Sequence, residues 1–322
     1  LAIEFIEAVS KTGADAVKFQ THIASAESTL DEEFRVKMNG QDKTRFDYWK
    51  RMEFTEQQWI ELKSRADDLG LIFLSSPFSI EALELLERLD IPAWKVGSGE
   101  AYSSDLIDAM CNTGKPILLS TGMSNNDDIK HNVDKFRLKK SDFALFQCVS
   151  RYPSSYIDVG LNVLDELRNT YDCPVGLSDH SGTVYPSIAA IMKGADLIEF
   201  HITLDRQMSG PDISSSVTVE EAKLIVEAAK AISVMNANPI DKNIISEEII
   251  GMKMLFTKSL ALISDQKKGT ILNKDMLTTK KPGNGIPYKQ IDKVLGSVLI
   301  KDVSSERLLQ YSDMITSETK DS

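Results

Sequence analysis

The chain has 322 residues, of which 42% are hydrophobic and 26% charged, a composition typical of a globular protein with one large and one small domain. A formal net charge of −11 argues against nucleic acid and anionic membranes as partners. No apolar run approaches the roughly 18 residues of a membrane span, and no signal peptide is visible. Cys111, Cys148 and Cys173 show no CxxC spacing, which favours buried thiols and a cytoplasmic location.

The first 238 residues alternate short β-rich apolar runs with segments of helical period. A helix is predicted over 1–14, and a long polar loop without a clear pattern follows the first strand. Three later helices carry start signals, which are Thr55 with Gln58, Ser124 with Asp127, and Thr218 with Glu221. Seven strands are predicted, at 15–21, 71–78, 91–98, 115–122, 143–150, 174–182 and 196–205.

Strict alternation of strands and helices predicts a parallel sheet. Eight strand–helix units would close a barrel of about 250 residues, whereas seven leave an open edge. Because the chain opens on a helix, we expect a (β/α)₈ TIM barrel over 1–238 whose first strand is missing from this sequence. A doubly wound open sheet is the weaker alternative, since no glycine fingerprint follows the first strand.

The character of the sequence changes after residue 238. Short strands, frequent Gly and Pro and few helical stretches predict a linker over 239–256 and a small β-rich domain over 257–322. A domain of this size is marginal alone, so it is expected to pack against a barrel.

Two predicted strands end in a histidine. His180 and His201 follow the apolar runs of 174–182 and 196–205, and parallel neighbours bring both to the same sheet edge. They are candidate ligands for a divalent metal, although each could instead be a hydrogen-bonded histidine near a core. Glu199 and Asp212 are the nearest carboxylates for proton transfer or for binding hydroxyl groups.

The other strand ends carry ammonium and hydroxyl groups. Lys18 and Lys95 lie within strands, an unusual place for lysine that favours a functional role. A serine at one strand end is often only a turn residue, but here hydroxyls recur at most of them. The hydroxyl-bearing positions are Ser75, Ser76, Ser98, Ser120, Thr121, Ser150 and Ser178. Together these groups predict a site for phosphate or carboxylate.

Eight motifs along nearly the whole chain resemble those of the sialic acid (N-acetylneuraminate) synthase family, which includes legionaminic and pseudaminic acid synthases. They are AVKFQT, LSSPFS, KVGSGE, LLSTGM, CVSRYP, GLSDHSG, EFHITL with GPD, and KKPGNGI. The resemblance implies condensation of phosphoenolpyruvate with N-acetylmannosamine or a related N-acetylated amino sugar, giving a nine-carbon 2-keto acid and phosphate. It also implies Mn²⁺ (or Mg²⁺ or Co²⁺), a barrel followed by an antifreeze-like (SAF) domain, and a homodimer whose small domain covers the partner's barrel.

The resemblance also assigns roles to individual residues. It implies catalytic roles for His180, His201 and Glu199, with the two histidines as the metal ligands. The positions for phosphoenolpyruvate are Lys18, Ser76, Lys95, Ser98, Ser120, Ser150 and Ser178. The positions for the sugar are Gln20, Tyr152, Glu199, Asp212 and Lys281, and Glu100 lies in the same pocket motif.

The chain departs from the family pattern in three places. The first strand of the family, with its EIGxNHxG glutamate, is absent here, so a truncated and inactive chain is one expectation. Ser150 replaces a frequent asparagine, and Lys281 replaces an arginine whose two-pronged contact an ammonium cannot make. The competing interpretations are another barrel aldolase or phosphate-dependent synthase, and a noncatalytic binding protein.

Overall fold

A computed structural model of the protein describes residues 1–34 and 42–315. The chain divides into two compact units, Leu1–Asn238 and Pro239–Ser322. The last seven residues of the predicted small domain lie outside the described part.

The first unit is built on parallel strands, as the alternating pattern predicts. They are β1 (Ala16–Thr21), β2 (Ile72–Pro77), β3 (Trp94–Val96), β4 (Ile117–Ser120), β5 (Phe143–Cys148), β6 (Val175–Asp179), β7 (Leu197–Thr203) and β8 (Ser216–Thr218). β1 pairs with β2, and β3 to β8 form one sheet in chain order. The strand β8 was not predicted, because Val217 is its only apolar residue and no apolar run marks it in the sequence.

Helices follow most of these strands. They are α1 (Ala2–Ser10), α2 (Ala24–Glu27), α3 (Arg45–Met52), α4 (Glu56–Asp68), α5 (Ile80–Arg88), α6 (Ser104–Asn112), α7 (Asn126–Lys139), α8 (Asn162–Tyr171), α9 (Tyr185–Met192) and α10 (Val219–Ala237). The prediction of one long loop after the first strand was wrong, because α2 and α3 lie there. No residue of α3 is fully buried, and eight residues are too short a segment for the helical period to stand out in the sequence.

The predicted helix starts are correct in two cases and shifted in the third. Thr55 and Thr218 each form a capping box with the Gln or Glu three residues on. The start predicted at Ser124 lies one residue later, at Asn125. The Asn125 side chain accepts hydrogen bonds from two backbone N–H groups of the first turn, which a serine hydroxyl rarely does.

The core of the first unit lies between the strands and their helices. Its largest fully buried side chains include Phe73, Trp94 and Phe136. A side chain at Gly176 of β6 would place its Cβ 2.7 Å from the carbonyl oxygen of Leu197 on the neighbouring strand. Only glycine therefore lets β6 and β7 approach as closely as they do.

The second unit contains helix α11 (Glu247–Phe256) and four short strands. They are β9 (Ser259–Leu262), β10 (Leu277–Lys280), β11 (Val298–Leu299) and β12 (Met314–Ile315), paired antiparallel as β9–β10 and β11–β12. The segment predicted as a linker thus includes a helix of ten residues.

A small apolar core and one buried ion cluster hold the second unit together. Leu260, Leu262 and Leu309 are fully buried in that core. The side chain of Asp313 is fully buried, and the Arg307 guanidinium donates to both of its oxygens at 2.7 and 2.9 Å. Burial opposes ionisation of Asp313, yet the hydrogen bonds from Arg307 and Lys301 lower its pKa to about 2. Among the described residues, no helix is long and apolar enough to span a membrane.

Candidate active site

Three charged side chains from non-adjacent strands meet inside the first unit. The Lys18 ammonium on β1 lies 3.9 Å from Oε1 of Glu199 on β7, and the Lys95 ammonium on β3 lies 3.5 Å from the same oxygen. The inward side chains of parallel strands converge at one end when the sheet curves round. The strand-end lysines predicted from sequence are therefore brought together, with a carboxylate between them.

Lys95 is the most deeply placed of these groups. Its relative exposure is 2%, and its Nζ donates to Ser120 Oγ at 2.5 Å. Burial lowers the pKa of the Lys95 ammonium, and the nearby Glu199 charge acts in the opposite direction. Burial would raise the pKa of Glu199, but Lys18 and Lys95 lower it to about 2. Glu199 is therefore ionised where it lies between the two lysine side chains.

His180 and His201 lie beside each other at the carboxyl end of this sheet. His180 directly follows β6, His201 lies within β7, and their ring centroids are 5.3 Å apart. The His180 Nδ1–H donates to the Val149 carbonyl at 2.8 Å, so whenever this ring is neutral its Nε2 carries the lone pair that a metal ion needs. Burial, with the charges of Lys18 and His180, lowers the pKa of His201 to about 3, which keeps that ring neutral.

Two of the predicted sugar positions surround the histidine pair. The Tyr152 ring stacks on His180 with centroids 4.1 Å apart, and its hydroxyl lies 3.1 Å from His180 Nε2. Asp212 Oδ2 lies 3.7 Å from Nδ1 of His201. Burial raises the pKa of Asp212, against the effect of the nearby His180 and Lys18 charges.

Hydroxyl groups from two strand ends, after β3 and β5, gather around Gly122, which follows β4. The Gly122 N–H donates to Ser98 Oγ at 3.1 Å. A Cβ on Gly122 would lie 2.7 Å from Ser150 Oγ and 2.9 Å from both Ser98 Oγ and Cys148 Sγ. The glycine leaves room for a compact group of small polar side chains, which suits binding of an anion through short hydrogen bonds.

The remaining predicted positions occupy different places. Ser178 donates a hydrogen bond to Glu199 Oε1 at 3.0 Å. Ser76 on β2 is buried and pairs in the strand register with Gln20 on β1, which is exposed. Ser75 and Thr121 bond neighbouring strands, through Thr21 Oγ1 at 2.8 Å and the Phe146 carbonyl at 2.9 Å respectively. Lys281 belongs to the second unit, where its Nζ lies 5.2 Å from the centroid of the Phe256 ring.

Sequence reasoning missed several residues at this end of the strands. Gly122 and Cys148 flank the serines, and His22 lies just beyond β1 between two aromatic rings. The only available signal for His22 was that it is one of four histidines and follows Gln20 by two residues. Two-residue spacing at the end of a strand predicts the same side of the sheet.

The fold and the site define a class of protein, a (β/α)-barrel enzyme with lysine, hydroxyl and histidine side chains at the carboxyl ends of its strands, followed by a small β-rich domain. Residues 5–240 match the NeuB family and residues 257–314 match the SAF domain. The chain belongs to the NeuB family and is a transferase of the sialic acid synthase type.

Three individual similarities agree with this assignment. N,N'-diacetyllegionaminic acid synthase of Campylobacter jejuni is 31% identical, over 96% of this chain and 94% of its own length. Pseudaminic acid synthase of Helicobacter pylori is 32% identical, over 98% of this chain and 93% of its own length. The crystal structure of N-acetylneuraminic acid synthetase from Leptospira borgpetersenii, in complex with citrate, superposes with a TM-score of 0.68 at 27% identity, over 79% of this chain and 85% of that one.

Proposed function

We propose that this protein condenses phosphoenolpyruvate with an N-acetylated amino sugar, forming a nine-carbon 2-keto sugar acid and releasing phosphate. The observation that carries the proposal is the convergence of Lys18 and Lys95 on Glu199 beside small hydroxyl side chains. Two ammonium groups with convergent hydroxyls form a cradle that suits a molecule bearing both a phosphate and a carboxylate.

The proposed roles follow the positions of the side chains. Lys18 and Lys95 would bind the two anionic groups of phosphoenolpyruvate, with hydroxyl support. The supporting serines are Ser76, Ser98, Ser120, Ser150 and Ser178. Held in this way, C3 would face the sugar aldehyde and form the new carbon–carbon bond, while the aldehyde oxygen takes up a proton. Water would then add to C2 and lose one proton. The C2–O bond to phosphate would break as the new C2 hydroxyl gives its remaining proton to the leaving phosphate, which leaves the ketone.

The proposal includes a metal ion held by His180 and His201. Mn²⁺ is the preferred candidate, and Mg²⁺ and Co²⁺ are the alternatives. The two rings fit this role because they are adjacent, and because the Val149 carbonyl orients the His180 ring. Among the described residues, no group of three or more His, Cys, Asp or Glu side chains is arranged to hold a metal. The remaining ligands would therefore be water or substrate oxygen. When bound, the ion would polarise the sugar aldehyde as a Lewis acid.

The acceptor sugar is proposed to bind near Gln20, Tyr152, Glu199 and Asp212, with Lys281 contributing from the second unit. N-acetylmannosamine is the first candidate. A 2,4-diacetamido-trideoxy sugar is the second, since two relatives at 31% and 32% identity are named as legionaminic and pseudaminic acid synthases. Binding of both substrates without turnover would indicate a noncatalytic protein with the same fold.

A homodimer in the cytoplasm completes the proposal, with the second unit covering the partner's barrel. Support for an interface comes from α11, where Leu255 and Phe256 are each 66% exposed and Ile249, Ile250 and Met254 are 46–49% exposed. Exposed apolar residues in such density are typical of a surface that another chain covers. The three free cysteines agree with a reducing compartment.

The test measures phosphate release from phosphoenolpyruvate in the presence of Mn²⁺, with each acceptor sugar and without any acceptor. The mass of the product is determined by mass spectrometry. We expect release that requires an acceptor, and a product mass equal to sugar plus pyruvate. Lys95→Met should abolish phosphoenolpyruvate binding measured by calorimetry, and His201→Ala should abolish Mn²⁺ binding. His131→Ala, a change at an exposed position of α7, is the matched control for the second variant.

The outcomes separate the alternatives. Acceptor-independent release, or a product of another mass, would refute the synthase assignment. Binding of phosphoenolpyruvate and sugar by the wild-type chain without any product would favour the noncatalytic alternative. Mn²⁺ binding that survives His201→Ala would place the metal elsewhere.

A further inference from the structure

A single arginine links three chain segments near the histidine pair. Arg206 lies just after β7, and its guanidinium donates to the Gly182 carbonyl at 3.2 Å and to the Ser216 carbonyl at 3.4 Å. Its Nη2 also donates to Glu221 Oε2 at 2.5 Å. Gly182 lies between β6 and α9, Ser216 begins β8, and Glu221 lies in the first turn of α10. One planar group therefore joins the chain beyond β6 to β8 and to α10.

Ser216 connects this arginine to the strand that carries His201. The two residues are register partners in the parallel pairing of β7 with β8. The Ser216 hydroxyl donates to the Asp212 carbonyl at 2.7 Å, and the Ser215 N–H donates to the same carbonyl at 3.0 Å. A shift of Ser216 would therefore move the strand neighbour of His201 and the backbone of Asp212 together.

Gly182 connects the arginine to the chain that follows His180. It lies two residues beyond His180 with φ +69°, and a Cβ there would overlap the backbone carbonyl oxygen of Ser214. The backbone at Gly182 thus packs directly against the segment that precedes β8. The bond from Arg206 to the Gly182 carbonyl adds a directional link across the same junction.

Glu221 holds the guanidinium in place. Its Oε2 accepts from the Thr218 N–H at 2.7 Å as part of the capping box of α10, so the carboxylate has a defined position when it binds Arg206. A guanidinium carries five donors in a fixed planar fork, whereas a lysine ammonium is a compact point charge. The side chains of Arg206 and Glu221 are 45% and 34% exposed, so replacing the arginine leaves no fully buried charge unpaired and the chain should still fold.

We propose that Arg206 is a positioning residue that sets the separation of His180 and His201, and with it the affinity of this pair for Mn²⁺. The inference rests on the metal site of the proposed function. Groups that orient metal ligands without touching the metal typically change affinity by about 10- to 100-fold. Arg206 acts on the backbone beside the ligands, and the Val149 carbonyl orients the His180 ring independently. The effect should therefore lie near the lower end of that range.

The test compares Arg206→Met and Arg206→Lys with the wild type by isothermal titration calorimetry, with Mn²⁺ and separately with phosphoenolpyruvate. We expect the Kd for Mn²⁺ to rise about 10-fold in Arg206→Met and less in Arg206→Lys, and the Kd for phosphoenolpyruvate to stay unchanged. The sign of the change separates positioning from charge. Removing a nearby cation would by itself strengthen the binding of Mn²⁺, because like charges repel.

Arg168→Met is the matched control. The Arg168 side chain on α8 also joins a backbone carbonyl, that of Gly194, to a carboxylate, that of Asp196, and it is 33% exposed. These contacts lie at the amino end of β7, whereas Arg206 follows its carboxyl end. Arg168→Met should therefore leave the Kd for Mn²⁺ unchanged, whatever it costs in Tm.

Several results would overturn the inference. One is a Kd for Mn²⁺ in folded Arg206→Met that equals or falls below the wild-type value, and another is an equal rise in Arg168→Met. A matching rise in the Kd for phosphoenolpyruvate would show a general loss of the site instead of a change in the separation of the histidines. If Arg206→Met does not fold, Arg206→Lys decides by the same comparison.

Failure of the proposed function gives a different result. A wild-type chain that binds Mn²⁺ through His201 but releases no phosphate with any acceptor would refute the proposed function, while the Kd comparison would still decide the role of Arg206. A wild-type chain that binds no Mn²⁺ would overturn the inference together with the metal site.

Discussion

The glycine between the serines gives the sharpest test of the proposed anion site. Replacing Gly122 with alanine adds one methyl group to a space bounded by Ser98, Cys148 and Ser150. The new Cβ would lie 2.7–2.9 Å from the two hydroxyl oxygens and the sulfur atom, closer than ordinary van der Waals contact. All three atoms end short side chains, which can rotate away, so the barrel should remain folded.

The expected loss is in affinity for phosphoenolpyruvate. Rotation of the two serines removes one or two hydrogen bonds to the bound anion, each worth about 0.5–1.5 kcal/mol. The total of about 0.5–3 kcal/mol corresponds to a Kd roughly 2- to 150-fold higher. Isothermal titration calorimetry with phosphoenolpyruvate measures this directly, without requiring turnover.

Gly99→Ala is the matched control. Gly99 follows β3 as Gly122 follows β4, has φ −69° and ψ −41°, and a Cβ there would meet nothing within 4 Å. The Gly99→Ala variant should bind phosphoenolpyruvate with the same Kd as the wild type. If Gly122→Ala stays folded and its Kd equals that of Gly99→Ala, Ser98 and Ser150 do not bind this anion.

Three further predictions concern stability. Thr55→Ala should lower the free energy of unfolding, measured by urea titration, by about 1 kcal/mol, because the capping box of α4 is lost. Ser103→Ala, at an N-cap whose side chain makes no capping bond, should lower it less. Equal losses in the two variants would contradict the prediction. Gly176→Ala should lower Tm measurably, since the Cβ would meet the rigid carbonyl of Leu197 at 2.7 Å, and an unchanged Tm would show that β6 and β7 can separate freely. For Asp313, a folded pKa of about 2 against an ordinary 3.8 gives about 2 kcal/mol of stabilisation that is complete above pH 3.8 and lost as the pH falls through 2. The difference in unfolding free energy between wild type and Asp313→Asn should therefore shrink from pH 7 towards pH 2, and a constant difference would refute that assignment.

Strong local patterns made much of the first unit predictable. The seven predicted strands lie in apolar runs bounded by Gly or polar residues, and a parallel sheet follows from their alternation with helices. The capping boxes at Thr55 and Thr218 depend on residues three positions apart, so a single sequence contains the whole signal. For the same reason His180 and His201 could be paired from the two strands that lead to them.

Features that depend on tertiary contacts could not be predicted. The helix α3 buries no residue completely, yet its Trp49 stacks on His22, which lies 27 positions earlier in the chain. Gly122 looks like an ordinary turn residue until the structure places Ser98 and Ser150 around it. The charge on Glu199 follows from the approach of two lysines on other strands, and no spacing along the chain shows that approach.

The carboxylate between Lys18 and Lys95 also bears on how fast an anion can arrive. An open basic funnel speeds the association of an anionic molecule, and dissolved salt slows that association by screening the attraction. Here Glu199 offsets part of the lysine charge from within, and the chain as a whole carries −11. Long-range electrostatic attraction should therefore contribute little to the rate at which phosphoenolpyruvate binds. We expect the association rate constant for phosphoenolpyruvate, measured by stopped flow, to stay constant or to rise as ionic strength increases.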